Sequence, residues 1–376
     1  MDLKKYDLPV ALFLILNPLL GFSLFFVYIF YFDVPMSLWI LFLIFCAATN
    51  LSITAGYHRL FAHRSYEINN FAKFLLLLVG SSAFQGSALK WSSDHRRHHQ
   101  FIDTEKDPYS IEKGFWHAHM GWLFYKSTVD LKIKAPDLEK DLLVMNQHQY
   151  YLIWSILSGF IFPLFVGALL GVPFAGLIIL GSLRIFFTQQ STFFVNSLCH
   201  TLGKQTYSKE ISARDSFIVA LLTHGEGYHN FHHQFQYDYR NGIRWYHWDP
   251  TKWVILSLKW TGFAKKLKII PAQEILKAKL NAEAKWLETK GFSRDKIENL
   301  KIKILEAQTQ FALLRQEYKK MKMKSSDKIN DLKLTSTERL NEVKLQIAEL
   351  KINILRAKAD FKFSMKQWNV QVSLYR

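Results

Sequence analysis

The sequence predicts an all-α membrane protein with four transmembrane helices, a cytoplasmic helical cap and a C-terminal helical, coiled-coil-like extension. Three observations carry this. Long apolar stretches come in two pairs and are almost free of charge. Most histidines, lysines and arginines fall between and after those pairs. Beyond residue 290, apolar residues recur at alternating three- and four-residue steps, the seam of a coiled coil.

From Asp7 to His58 there is no Lys or Arg, and the acids are Asp7 and Asp33. A spanning helix needs about 20 apolar residues, so this run holds two. Asp33-Val34-Pro35 divides it into spans at 8–31 and 36–56. It is too long, and lacks a small-residue cleavage site, for a signal peptide. A second pair reads at 150–171 and 173–195, joined at Gly171-Val172-Pro173. The apolar core of 71–83 is shorter and predicts a membrane-surface or buried helix. The 31 Phe residues suit lipid-facing positions.

The net charge of +17 is uneven: residues 261–376 hold 26 Lys/Arg and 13 Asp/Glu, a balance of +13. Such a tail suits nucleic acid or an anionic membrane surface. Beside long apolar stretches the lipid bilayer is the simpler partner, and no nucleic acid is expected. Apart from Arg184 inside span four, the basic residues are Lys4, Lys5, those of the Lys/Arg-rich segment 59–140 and those after span four, while the turns near 33 and 172 carry none. The positive-inside rule then places both termini and the central segment in the cytoplasm, at a bacterial inner membrane or the endoplasmic reticulum. Two cysteines, Cys46 in an apolar run and Cys199 beside His200, argue against a disulfide framework and for a reducing compartment.

Eight of the fourteen histidines form three groups: His58 and His63; His95, His98 and His99; His229, His232 and His233. The last two groups share the pattern H-x-x-H-H. On a helix those positions share a face, so each helix can aim three imidazoles at one point. Imidazole suits iron, copper, zinc and nickel alike. One zinc usually takes four ligands, so eight imply at least two metal ions in the cap. A haem or copper electron-transfer protein would place its ligands within the spans, whereas these lie at and beyond the cytoplasmic ends. Surface histidines beside arginines could explain one H-x-x-H-H, but not two copies and a further pair on one membrane side.

Five stretches now stand out: Gly56-Tyr-His-Arg-Leu-Phe-Ala-His63, Trp91-Ser-Ser-Asp-His-Arg-Arg-His-His99, Gly114-Phe-Trp-His-Ala-His-Met-Gly-Trp122, Asn196-Ser-Leu-Cys-His200 and Gly225-Glu-Gly-Tyr-His-Asn-Phe-His-His233. With Asp249-Pro-Thr-Lys-Trp253 they resemble the integral-membrane histidine-box desaturases and hydroxylases, and within them the acyl-CoA (stearoyl-CoA type, delta-9) fatty-acid desaturases. The resemblance covers roughly 35–265. It implies two iron ions (Fe2+) held by nine histidines: His58, His63, His95, His98, His99, His200, His229, His232 and His233. Asn196 matches the position that holds a metal-bound water. Gln85, Trp91, Arg184, Thr192 and Phe193 match positions along the acyl chain. Phe193 stands where the family usually carries Trp, which removes an indole N–H. His117, His119, His148, His224 and His247 are left outside the site. Arg59, Arg64, Arg96 and Arg97 could meet coenzyme A phosphates, lipid headgroups, site residues or solvent.

The implied reaction is O2-dependent insertion of a cis double bond into a long-chain acyl-CoA. Removing hydrogen from an unactivated chain needs an oxidant that side chains cannot supply, hence the metal. A hydroxylase of acyl chains or alkanes, or an acyl-lipid desaturase, uses the same boxes; a non-catalytic metal-binding membrane protein fits them less well. No His-Pro-Gly-Gly motif is present, so electrons are expected from a separate donor: cytochrome b5, ferredoxin or a reductase.

The domain reading is 1–265 for the membrane-embedded part and 266–376 for a basic helical extension. Ile297, Leu300, Ile304, Ala307, Phe311, Leu314, Tyr318 and Met321 form one seam, and Leu340, Val343, Ile347, Leu350, Ile354, Ala357 and Phe361 another. Ser325-Ser326-Asp327 reads as the break and cap between them. Two helices are expected, as an antiparallel hairpin or an oligomeric coiled coil.

Overall fold

The computed structural model describes residues 5–126, 135–331 and 337–375. They divide into two compact units, one ending at Ile270 and one built chiefly from the helices beyond it.

In the first unit α1 is Leu8–Tyr31. Its start is set by Asp7, whose carboxylate accepts the Val10 N–H, and by a proline in the first turn, where no helical bond is lost. Extended Pro35 ends the break and caps α2, Met36–Ala62. α3 is Asn70–Ser81, capped by the Asn69 side chain on the Ala72 N–H, and α4 is Ala88–Phe101, capped by Ser87. α5 (Tyr151–Leu169) and α6 (Pro173–Thr201) flank the tight turn at Gly171. α1, α2, α5 and α6 are long and apolar enough to cross a membrane. Their outward faces expose bulky apolar groups, Phe30 at 80% and Phe26 at 61%, which suits lipid rather than water. α2 and α6 each run six residues beyond the expected 56 and 195, and those extra turns carry histidines.

Arg184 lies wholly buried in α6. Its guanidinium donates to the carbonyls of Leu180, Ser82 and Gly159 and to the hydroxyls of Ser82 and Thr49. It thereby ties α6 to α2, α5 and the end of α3. Ile53, Tyr57, Phe61, Leu77, Val144 and Ile255 form the apolar core beneath the histidines. Short α7 (His229–Gln234) and α8 (Pro250–Trp260) also belong to this unit, and Glu67–Ile68 pairs antiparallel with Ala264–Lys265.

Among the described residues the second unit has three helices where two were expected: α9 (Ala272–Thr289), α10 (Arg294–Asp331) and α11 (Thr337–Leu374). Leu280 and Leu287 of α9 share a core with Ile297, Ile304 and Trp368. The Trp368 indole N–H donates to Glu283 at 2.7 Å. Phe292 and Tyr375 meet edge to face at 5.6 Å, so α10 and α11 run antiparallel, the hairpin alternative. The expected break at Ser325-Ser326-Asp327 is overturned, because α10 continues to Asp331. Ser and Asp in a helix interior cost only a few tenths of a kcal/mol relative to the better helix formers, and no Gly or Pro stands there to stop it.

Candidate metal centre

The site begins with an irregularity in α2. Residues five apart on an α-helix lie about 140° apart around its axis, so His58 and His63 would diverge. Ser52–Ala62 instead forms a π-helix, and the His63 N–H bonds to the His58 carbonyl at 3.0 Å. This wider turn stacks i over i+5 and brings the two rings to 4.8 Å.

α4 brings His95, His98 and His99, α6 brings His200, and α7 brings His229, His232 and His233. Their ring nitrogens gather in two adjoining groups, each within 4.8 Å: His58, His63, His95, His99 and His232; and His98, His200, His229 and His233. Each H-x-x-H-H therefore serves both groups rather than aiming at one point. Helical geometry gives the reason: i+3 and i+4 fan about 100° apart, so His98 joins the second group while His95 and His99 join the first, and His232 joins the first while His229 and His233 join the second. The groups touch through His99 and His233, stacked at 4.1 Å.

Hydrogen bonds behind the rings decide which nitrogen faces inward. His58 Nδ1 meets Glu226 at 3.0 Å, and His98 Nδ1 meets Asp107 at 2.9 Å. Carboxylates only accept, so both rings carry the proton on Nδ1 and turn an Nε2 lone pair inward. At His200 the Ser212 hydroxyl donates to Asp103, so the Nδ1–H donates to Ser212 at 2.7 Å. The His200 Nε2 is buried with no protein partner. His95 Nδ1 pairs with Tyr109 at 3.1 Å.

Glu226 belongs to a buried ion cluster. Arg59 donates to it at 2.9 Å and grips Asp249 with two bonds, at 3.0 and 3.1 Å. Burial alone pushes the Glu226 carboxyl up, but Arg59 and His58 outweigh that and hold it at about 2. Glycines make this packing possible. Gly225 has φ +101, and a Cβ there would meet the Asp249 backbone at 2.8 Å; at Gly227 it would strike the Ala220 backbone. Burial first, then mutual repulsion, lowers the pKa of His63, His95, His99, His229, His232 and His233. These rings are neutral near pH 7 and bind a cation without first losing a proton. Converging neutral imidazoles, with the unpartnered His200 Nε2 among them, are the donor set of a transition-metal centre.

Sequence reasoning assigned no role to Asp103, Asp107, Tyr109, Ser212, Glu226 or Asp249. Glu226 and Asp249 lie inside quoted motifs, but their partner Arg59 is more than 160 residues away. Of the arginines, Arg59 is internal. Arg96 grips Asp137 with two bonds, Arg97 donates to the Lys106 carbonyl at 3.0 Å, and Arg64 is largely exposed.

A cavity of about 720 Å3 lies against the histidines, with His58 and His95 in its wall. Gln85, Trp91, Thr192, Phe193 and Asn196 also line it. Gln85 donates to Thr192 at 2.9 Å, and Trp91 stacks on His95 at 5.0 Å. Thr192, Asn196 and His200 stand four residues apart along α6, one face of one helix. Arg184 is not brought to this cavity, since other polar groups engage its guanidinium. Of the histidines left outside, His119 bonds Ser197 and Gln190, His148 bonds Ser87, and His247 stacks on Tyr228. None of these three, nor His117 or His224, joins the two groups.

The fatty acid desaturase family profile matches residues 34–258, the segment that carries every box. The chain belongs to the fatty acid desaturase family. It is 43% identical over 249 residues to the "Probable acyl-CoA desaturase" of Schizosaccharomyces pombe, covering 65% of this chain and 52% of that one. It is 40% identical over 247 residues to "Acyl-CoA desaturase 1" of Saccharomyces cerevisiae, covering 65% and 48%. It is 36% identical over 232 residues to the "sn-1 stearoyl-lipid 9-desaturase" of Synechocystis, covering 61% and 71%. The chain thus spans about half the length of the two yeast relatives. Family and apolar helices together make this family member an integral membrane protein, and its histidine clusters form a candidate metal site.

Proposed function

We propose that this chain desaturates a long-chain fatty acyl-CoA with O2, placing a cis double bond at the delta-9 position. The observation that carries the reading is the pair of adjoining imidazole groups, the first of which puts His58 and His95 in the wall of the large cavity. Iron is the proposed metal: His58, His63, His95, His99 and His232 would hold one ion, and His98, His200, His229 and His233 the other, with Asn196 holding a water. Two iron ions, when bound, supply the oxidising power to remove hydrogen from an unactivated chain. The balance is two hydrogens lost by the chain and O2 becoming two waters. That requires two protons and two electrons, the latter from a separate donor such as cytochrome b5, ferredoxin or a reductase.

The chain's own residues do the rest. Phe13, Leu14, Ile53 and Phe84 give the cavity apolar walls, which take acyl carbons and exclude water. Trp91, Thr192 and Phe193 would fix the methylenes beside the histidines, and orientation of this kind is worth several kcal/mol of barrier. Lys90, Arg97, Lys113 and Lys126 also line the cavity and suit the phosphates of coenzyme A. The Synechocystis relative's name favours a second reading, an acyl-lipid substrate. A hydroxylase outcome has no such support. The proposed topology puts both termini and the histidines in the cytoplasm.

Expression in cells lacking their own desaturase, with fatty-acid profiling, tests the reaction: a new monounsaturated acid with its double bond at carbon nine supports it, and a hydroxylated acid replaces it. Elemental analysis should find about two irons per chain, since nine imidazoles exceed what one ion uses. One zinc and no iron, in protein made without competing metals, sinks the diiron reading.

The desaturase domain is proposed to be 1–265, with the remainder an appendage. Deletion of 290–376 would strip Leu280, Ala284 and Leu287 of α9 from their partners on α10 and α11. Deletion of 271–376 avoids this, and should retain iron and some desaturation. Complete loss of iron from a well-folded truncation would show that the appendage helps to build the site.

A further inference from the structure

α11 is apolar on two opposite sides. One side, with Leu350, Ala357 and Trp368, is buried within the three-helix unit. The other carries Leu345, Ile352, Leu355, Phe363, Val370 and Leu374, exposed by 45–70%. At 100° per residue these two sets lie about 150° apart, and the exposed stripe runs about 44 Å. Single exposed apolar residues are ordinary, but a continuous row of this length is not.

The charges around the stripe choose its occupant. Lys351, Arg356, Lys358, Lys362 and Lys366 lie along the length of the stripe and are exposed, against two exposed acids, Glu349 and Asp360. Residues 271–376 hold 23 Lys/Arg and 13 Asp/Glu. A second copy would bring the same excess positive charge against itself. Lys366 also lies on the stripe between Phe363 and Val370; in a helix–helix seam its ammonium would be buried unpaired, whereas at a lipid surface it can snorkel to the headgroups. An anionic bilayer offers both an apolar phase and opposite charge, and this chain is membrane-embedded. The geometry points to the exposed stripe of α11 as a membrane-surface anchor that seats its apolar row among the acyl chains and its lysines among anionic headgroups. This surface is separate from the metal site and independent of the reaction proposed for it.

The full chain can be tested with an environment-sensitive fluorophore on Leu355→Cys, in nanodiscs with and without phosphatidylserine. The parent chain corrects for labelling of Cys46 and Cys199. Nitroxide-bearing lipid should quench the label about twofold or more in the anionic discs, since the stripe sits at acyl-chain depth. A label on exposed Gln346→Cys, off the stripe, should not respond. Each lysine near an anionic surface is worth about fivefold in binding, so reversing Lys358, Lys362 and Lys366 to Glu should return quenching to the neutral-lipid level. Unquenched label in both discs overturns the proposal. So do unquenched Leu355→Cys chains that form disulfide-linked pairs in liposomes, which would assign the stripe to a second copy.

Discussion

His200→Ala is expected to abolish desaturation while the protein still reaches the membrane. The ring stands outside the three boxes. Its Nδ1 proton is committed to Ser212, itself committed to Asp103, and its Nε2 is buried without a protein partner. Alanine therefore deletes one inward lone pair from the four-imidazole group. Ser212→Ala keeps every imidazole and loses the hydrogen bond that orients His200, and Asn196→Ala keeps them and loses the amide proposed to hold a water, so each should cost about 10–100-fold in metal affinity or activity. The control is His224, which adjoins the third box yet lies outside both groups. It occupies a left-handed conformation with φ 54, so asparagine, which tolerates that region, is the replacement of choice. Product yield and iron per chain should fall in the order His224→Asn least, Asn196→Ala more, His200→Ala most. Near-normal iron and product from His200→Ala would remove this residue from the site and leave an eight-histidine centre.

Arg59→Ala should be the most destabilising single change near the site. Its guanidinium is 1% exposed and sits between Glu226 and Asp249, themselves 2% and 0% exposed. Removing one partner of such a cluster strands buried charge and typically costs about 3–5 kcal/mol. The loss propagates, because Glu226 is the carboxylate that orients His58. Arg59→Lys retains the charge, but a point-like ammonium cannot grip two carboxylates as the planar fork does, so it should fall between. Thermal melts of the detergent-purified chain, paired with iron content, measure both effects. An Arg59→Ala protein that melts with its parent and holds full metal would show the cluster to be dispensable.

Some of this was readable in the sequence because its cause is local. A run without charge over a bilayer's thickness announces a span, and α1, α2, α5 and α6 lie where those runs predict. The histidines announced themselves by clustering. Their division into two groups did not, because spacing says which residues share a helix face but not how a fan of about 100° is shared between two centres. Arg59, Glu226 and Asp249 were silent for another reason: their pairing joins α2 to distant loops, and no window along the chain contains it. α9 was missed because Leu280, Ala284 and Leu287 form a weak row among lysines, legible only beside Trp368. Ser325-Ser326-Asp327 misled because residues that favour caps also tolerate helix interiors.

A π-turn is an α-helix carrying one residue more than its hydrogen bonds need. The Ser52–Ala62 segment could thus be made regular by deletion of a single residue between His58 and His63, such as Leu60. The shortened helix would regain ordinary bonding while placing the two imidazoles four apart, still on one face. Every residue after the excision would rotate by about 100° and move about 1.5 Å along the axis. Arg64, Ser65 and the chain leading to α3 would lose their register even though the histidines kept theirs. The extra residue therefore acts as a phase adjuster between a membrane-spanning helix and the cap above it, and the order of the segments beyond it depends on the irregularity being kept.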